Sequence, residues 1–355
     1  MFCAAMAAWN SAAYVQFLWL DGTICGEFAG KRERSRTMQA EAFQTPVAFF
    51  VFKRPDTTRR VFEAISKVRP AKLLLIADGP RMGKEGEIEA CRGVREIVAR
   101  VDWPCEVMRN FSETNLGCRE RMISGINWLF SLVEDAIILE DDCLPDLSFF
   151  PYCQELLEKY RGDSRIAYIS GCNLIERYMT IEDSYCFSRI GGIWGWATWR
   201  SEWQRYDRNL SDWPGIKSRC LLTEVFDDPS VVKYLTAIFD AMYENRGPDT
   251  WDYQWLYTCL KNNSIAIVPR VNLIANIGFG KDGTHTIKPD ERMMFSAAAV
   301  QFPLQHPFSL IPLLSLDRHR VRNMLPRSVP RRILRQLFRI ARHFLDHGVG
   351  STKLF

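Results

Sequence analysis

Metal-cage and disulfide patterns are missing from this chain. None of its eleven cysteines forms a Cys-x-x-Cys pair, and an odd, scattered set fits neither a zinc ribbon nor a disulfide framework. Thiols used in this way point to a reducing compartment, so a cytoplasmic protein is expected. Charge of one sign is also lacking: a formal net charge of +4 gives no reason to expect a nucleic-acid partner. Clean hydrophobic runs are absent near the start. The apolar stretch 3–20 is broken by Asn10, Ser11 and Gln16, and no basic residue precedes it, so it makes a poor signal peptide and a poor membrane span. The basic stretch 31–36 follows. We expect 1–44 to be a disordered leader, with a natural start at Met38; a weak membrane anchor is the alternative. No internal repeat or low-complexity tract occurs. What the chain does have is apolar material, 47% of its residues, enough for a substantial core in one large domain with extensions. Several tryptophans cluster between Trp194 and Trp255, where they either stack on sugar rings or build a rigid shelf.

From Pro46 onward, strand and helix patterns alternate. Strands are expected at 47–52, 73–77 and 106–109 and in the run that enters the acids at 136–142. Helices are expected at 56–68, capped by Asp56, and at 84–101 and 118–133. This βαβαβαβ order predicts an α/β fold with a mostly parallel, doubly wound sheet and right-handed crossovers. Beyond the acids, 147–160 reads as a helix and 166–170 as a strand. The alternation then fails. The glycine-and-tryptophan segment 191–199 is expected to open a helix reaching about Tyr206, with another helix at 230–244 and a strand at 265–268. We expect a catalytic domain at 45–290, its second half an acceptor-side elaboration of the same fold, and an extension at 291–355. In the extension Leu334, Leu337, Phe338, Ala341, Phe344 and Leu345 recur at helical spacing, opposite Arg331, Arg332, Arg335, Arg339 and Arg342. Such a basic amphipathic helix either makes peripheral contact with an anionic membrane or docks its apolar stripe on the catalytic domain.

The most informative stretch is 136–142, Ala-Ile-Ile-Leu-Glu-Asp-Asp. A short, wholly apolar run fits a central parallel strand covered on both faces. Such strands deliver chemistry at their carboxyl ends, where the crevice of an open α/β sheet lies. Glu140, Asp141 and Asp142 repel one another and are costly to desolvate unless a cation sits among them. Hard oxygen donors favour Mg²⁺ or Mn²⁺, and those ions favour diphosphates. The alternative is a solvated polar turn. Lys53 and Arg54, ending the first strand, are cations suited to phosphate or residues of a solvated loop. Asp78 either accepts hydrogen bonds from a nucleotide or serves its Asp-Gly-Pro turn.

Glu140-Asp141-Asp142 after a buried strand, followed by Pro145 and Phe149-Phe150, resembles the acidic motif of GT-A glycosyltransferases. The likeness is closest to the inverting N-acetylglucosaminyltransferases of N-glycan and O-mannose glycan synthesis. Trp251-Asp252 with Trp255 is similar to that family's Trp-Asp-x-Trp segment, with one extra residue before the second Trp. Residues 279–285, Phe-Gly-Lys-Asp-Gly-Thr-His, resemble the glycine loop that closes over bound donor. The chain also resembles bacterial sugar transferases, some labelled haemolysin-like, that share Trp-Gly-Trp-Ala-Thr-Trp at 194–199. The match in order and spacing covers 46–286.

The resemblance implies a GT-A fold, a Rossmann-like mostly parallel sheet with helices on both faces. It also implies a metal-dependent transferase. A hexosyl or N-acetylhexosaminyl group would pass, with inversion, from a UDP-sugar or other nucleotide-sugar donor to a hydroxyl of a glycan or lipid-linked glycan acceptor, as in polysaccharide biosynthesis. Asp142 would coordinate Mn²⁺ or Mg²⁺, Asp141 would approach the donor ribose, and Glu140 would support the metal shell. Asp252 would be the general base; its alternative use is a helix N-cap, and Asp249 is the rival base if the extra residue shifts the register. Gly280, Thr284 and His285 would meet the donor, His285 either as a second metal ligand or on phosphate. Arg119 or Arg121, at the start of a helix, would face the diphosphate. One competing class is the sugar nucleotidyltransferases, which carry a glycine-rich basic loop where this chain has Phe52-Lys53-Arg54-Pro55. The other is a non-enzymatic membrane-binding protein, for which the long amphipathic strands of a pore are missing.

Overall fold

The computed structural model describes residues 43–176, 179–278 and 295–324. The leader up to 42, the glycine loop with Gly280, Thr284 and His285, and the amphipathic tail 331–345 lie outside the described residues. In chain order the elements are β1 (Val47–Val51), α1 (Pro55–Val68), β2 (Lys72–Ala77), α2 (Glu87–Val98), β3 (Glu106–Phe111), α3 (Cys118–Leu132), β4 (Asp135–Glu140), β5 (Cys143–Pro145), α4 (Phe149–Lys159) and β6 (Ile166–Ser170). They continue with β7 (Tyr185–Ser188), β8 (Trp196–Trp199), α5 (Arg200–Trp203), α6 (Trp213–Ser218), α7 (Leu222–Val225), α8 (Pro229–Tyr243), α9 (Asp252–Lys261), β9 (Ile265–Pro269), β10 (Ile274–Asn276) and α10 (Leu314–Met324).

The main sheet runs β3-β2-β1-β4-β8-β6-β9-β7. β1, β2, β3 and β4 are mutually parallel, and β6 and β9 form a second parallel pair. β8 lies antiparallel between β4 and β6, and β7 antiparallel to β9 at the edge. Alternation along each strand sorts the core into two layers. Val47, Phe49 and Val51 share one layer with Val61 of α1, Val94 of α2 and Leu156 of α4. Ala48 and Phe50 face the other way, among Ile126 of α3, Trp203 of α5 and Trp255 of α9. Each buried Val, Leu, Ile or Phe contributes roughly 1.5–3 kcal/mol, and because both faces of β1 are buried its register is set by fit, the small Ala48 facing one layer and Phe49 the other. The chain therefore has the expected fold class, an α/β Rossmann-like, mostly parallel sheet with helices on both faces.

Two local expectations are corrected. Residues 196–199 do not open a helix: they are β8, with Trp196 opposite Ile138 and Thr198 opposite Ala136. Over four wholly buried residues, helical spacing and strand alternation cannot be told apart, and the gap between β4 and β6 decides the matter. The helix that follows is only Arg200–Trp203. Trp196 is fully buried and stacks on Trp251 with ring centroids 5.4 Å apart. Trp199 donates its indole N–H to Leu157 O at 3.2 Å, so both are core rather than walls of an open pocket. Asp56 does not cap α1. Arg54 stands at the cap position and Pro55 starts the helix, where a missing N–H costs nothing.

The described extension packs on the sheet. Leu316 of α10 is buried with Cys186 and Val268, and Asp317 Oδ1 accepts from Ser188 Oγ at 2.5 Å. No helix among the described residues is long and apolar enough to cross a membrane.

Candidate active site

Parallel pairing brings the carboxyl ends of β1, β2 and β4 to one edge of the sheet. The turn at 52–54, the turn at 78–81 and the acids at 140–142 therefore meet there. Asp141 is buried, and its Oδ2 accepts the Phe52 backbone N–H at 3.1 Å. Arg54 Nη1 donates to Asp142 Oδ2 at 2.6 Å and lies 3.5 Å from Asp141 Oδ1. Burial raises the Asp141 carboxyl well above its ordinary range; Arg54 offsets part of this and Asp142 adds to it. Glu140 is raised in the same direction by desolvation first, then by Asp142 and Asp141. Among the described residues, Arg54 is the cation that eases the crowding of these acids.

The second half of the chain closes on this edge. β10 pairs antiparallel with β5, setting Asn276 opposite Cys143. Ile277 N then donates to Asp142 O at 2.8 Å. A Cβ on Gly278 would overlap Asp142 Oδ2 and come within 2.7 Å of Arg54 Nη1, so only glycine lets the backbone pass this close. The stem of the predicted glycine loop is therefore seated on Asp142.

Asp252 is the first residue of α9. Its Oδ1 accepts from Thr250 Oγ1 at 2.5 Å and from Tyr253 N at 2.9 Å. Its charge contributes to the rise of the Glu140 carboxyl. Cys118, at the start of α3, marks the same convergence. Burial first, and then the charges of Glu140, Asp249, Asp252 and Asp78, push its thiol up to about 12.

Neighbouring acids and arginines position these groups. Asp249 accepts Cys118 N at 3.0 Å and Arg119 N at 3.3 Å, capping α3 from a distant loop. Gly117, with φ +81, has no side chain to do so. Arg119 reaches Thr250 O at 3.1 Å and Pro248 O at 2.6 Å, so it holds the segment leading to Asp252. Arg121 donates to Asn110 O at 2.8 Å and Oδ1 at 2.9 Å. Asp78 is buried and accepts from Gly79 N, Leu116 N and Asn115 Nδ2, each at 2.9 Å, joining two loops of the edge. Lys53 Nζ pairs with Glu87 Oε2 at 2.9 Å, and Glu87 also takes three donors of Arg81. Both cations lie against the Phe52 ring, Lys53 at 5.5 Å and Arg81 at 5.8 Å from its centroid.

The structure thus brings Lys53, Arg54, Asp78, Glu140, Asp141, Asp142 and Asp252 to one edge. It gives Arg119 and Asp249 bonding partners that support that edge. Sequence reasoning missed Glu87, Arg81, Asn115 and Gly278. A lone Glu in the first turn of α2 carries no signal beyond the helix dipole.

Glu87 is held down to about 2, by Arg81 first and Lys53 in support. A lowered carboxyl stabilises the fold fully above its ordinary value near 4.3 and loses that contribution as pH falls toward 2. Water screens the cluster, since the Arg81 side chain is 41% exposed. Glu87→Gln is therefore expected to cost about 1–2 kcal/mol at pH 7, below the full linkage value. Urea unfolding should show that difference shrinking below pH ~4; an equal cost at every pH would sink this assignment.

Among the described residues no three His, Cys, Asp or Glu side chains form a metal cage. Mg²⁺ and its like are commonly held by one or two carboxylates, the rest of the shell being water and substrate phosphate. The donor set fits that mode: the half-buried Asp142 would be the attaching carboxylate, with Asp141 and Glu140 beside it.

No protein-family model and no curated protein matches the sequence. Among solved structures, the chain is similar to a mannosyltransferase from Pyrobaculum calidifontis in complex with GDP-mannose and Mn²⁺, at 14% identity over 45% of this chain, with a TM-score of 0.31. That match spans 46% of the mannosyltransferase, less than half its length. Mouse xyloside xylosyltransferase 1 is similar at 9% identity over 61% of this chain and 81% of its own, with a TM-score of 0.32. A 4-diphosphocytidyl-2C-methyl-D-erythritol synthase from Anaerococcus prevotii is similar at 9% identity over 70% and 95%, with a TM-score of 0.34. With likeness this low, the fold is defined by the strand order itself.

Proposed function

We propose that this chain is a metal-dependent GT-A glycosyltransferase, with its catalytic domain at 45–290. It moves a hexosyl or N-acetylhexosaminyl group from a UDP-sugar to a hydroxyl of a glycan or lipid-linked glycan, with inversion. One observation carries the reading: three crowded carboxylates end β4 beside Arg54, on the edge that also holds Asp252. A metal-ion diphosphate is the ligand that such a mixture of acid and cation accommodates.

Asp142 would hold the ion, with Asp141 and Glu140 supporting it and His285 as a candidate second ligand. When bound, the ion supplies Lewis-acid stabilisation of the departing diphosphate. Lys53 and Arg54 would bind phosphate oxygens. Asp252 would take the acceptor hydroxyl proton, its carboxylate aimed by Thr250 and by its place at the head of α9. Gly280 and Thr284 would complete the donor contacts. The basic tail 331–345 would bring a cytoplasmic enzyme to the inner membrane surface, where lipid-linked acceptors are reached.

A panel of nucleotide sugars with and without Mn²⁺ tests the reading by thermal shift, because a ligand that binds the folded state raises its apparent stability. One or more UDP-sugars should raise the Tm only when Mn²⁺ is present. A panel in which no nucleotide sugar shifts the Tm would leave the reading without a donor. Release of pyrophosphate from NTP and sugar 1-phosphate would favour a nucleotidyltransferase instead.

A further inference from the structure

Asp142 already has a cation. Arg54 Nη1 lies 2.6 Å from its Oδ2. A divalent ion binds carboxylate oxygen at roughly 2.0–2.1 Å if it is Mg²⁺, so ion and guanidinium would contend for one oxygen and repel each other. Space for both is restricted, because the Gly278 backbone passes so close that a Cβ there would overlap Asp142 Oδ2 and Arg54 Nη1. The other carboxylate oxygen faces the Cys143 thiol at 3.5 Å. Arg54 is not loosely placed: its side chain is 16% exposed, and Pro55 begins α1 immediately after it.

Building on the reading of Asp142 as the metal-binding carboxylate, we propose that Arg54 is the resident counter-ion of this edge. It must leave Asp142 before a divalent ion can bind there. A guanidinium moved off Asp142 gives up its 2.6 Å contact there, while Asp141 Oδ1 lies farther off at 3.5 Å. A diphosphate supplies the replacement, since guanidinium and phosphate pair through parallel N–H···O bonds. Metal and nucleotide then enter as a unit, and the free protein takes up the ion poorly. Linkage makes this reciprocal: whatever factor UDP gives to Mn²⁺ affinity, Mn²⁺ gives to UDP affinity.

Mn²⁺ binding, followed by electron paramagnetic resonance of the free ion with and without UDP, tests the exchange without any assay of activity. Wild-type protein should bind Mn²⁺ weakly alone and at least about tenfold more tightly with UDP, a factor worth 1.4 kcal/mol. Arg54→Gln should bind Mn²⁺ alone about tenfold more tightly than wild type, because the competing charge is gone. Arg54→Lys keeps a competing charge and should stay close to wild type. Circular dichroism melts check that both variants fold. Equal Mn²⁺ affinity in wild type and Arg54→Gln overturns the exchange while leaving the metal reading intact. Wild type that takes up Mn²⁺ equally well with and without UDP overturns it whatever the variant's fold. If no protein takes up Mn²⁺ even with UDP, the exchange and the metal reading both fall.

Discussion

Replacing Asp142 by alanine is expected to abolish the Mn²⁺ dependence of nucleotide binding. Of the three acids, Asp142 is the one seated between Arg54 and the loop stem: Arg54 bonds its Oδ2 and Gly278 lies against it. Asp141 is tied to the Phe52 amide and cannot turn to take its place without breaking that bond. Loss of outer-shell partners alone costs about 10–100-fold in metal affinity, so loss of the attaching carboxylate should exceed about 100-fold. The fold should survive. Arg54 still has Asp141 across from it at 3.5 Å, and the main-chain bond from Ile277 to Asp142 O needs no side chain. Calorimetric titration with UDP, with and without Mn²⁺, reads the effect, with Asp142→Asn as the variant that keeps shape but not charge. A variant whose nucleotide affinity still rises with Mn²⁺ as in wild type would remove Asp142 from the metal shell.

Apart from β5, the elements up to β6 were legible because each is a local period bounded by punctuation. β1 is followed by the Lys53-Arg54-Pro55 turn, β2 by Asp78-Gly79-Pro80, and β4 runs into charge, so neighbouring residues announce each boundary. β5, β7, β8 and β10 were not legible. They are three or four residues long, and their partners are distant in sequence, as when Ile274 meets Pro145. Periodicity has no meaning over that length; the space left in the sheet decides. The acids of the site were legible because a charge cluster at the end of an apolar run needs an explanation. Their partners were harder to read. Arg119 starts the helix that precedes the acidic strand, which suggested a diphosphate contact. Its guanidinium instead reaches back to the carbonyls of Pro248 and Thr250, a contact fixed only by how α3 and the 248–251 loop approach. Asp249 and Asp252 are equivalent as letters. What separates them is that one caps α3 while the other heads α9.

That separation sets up the second large effect. Asp252→Asn is expected to lower turnover by about 10²–10⁴-fold, the range a positioned general base supplies, while leaving the donor's Kd unchanged. Asparagine keeps an Oδ1 acceptor for Thr250 Oγ1 and Tyr253 N, two bonds that help aim the side chain, while its basicity is lost. Asp252 heads α9, and its charge is felt by Glu140 at the end of β4. Asp249→Asn provides the contrast. It weakens the cap that Asp249 gives to the Cys118 and Arg119 amides, so it should reduce stability by about 0.5–2 kcal/mol with a far smaller effect on turnover at a temperature where both proteins are folded. Single-turnover rates with saturating donor, set beside the unfolding curves, distinguish the two. If Asp252→Asn turns over at the wild-type rate and Asp249→Asn does not, the base is Asp249 and α9 merely presents a capping acid.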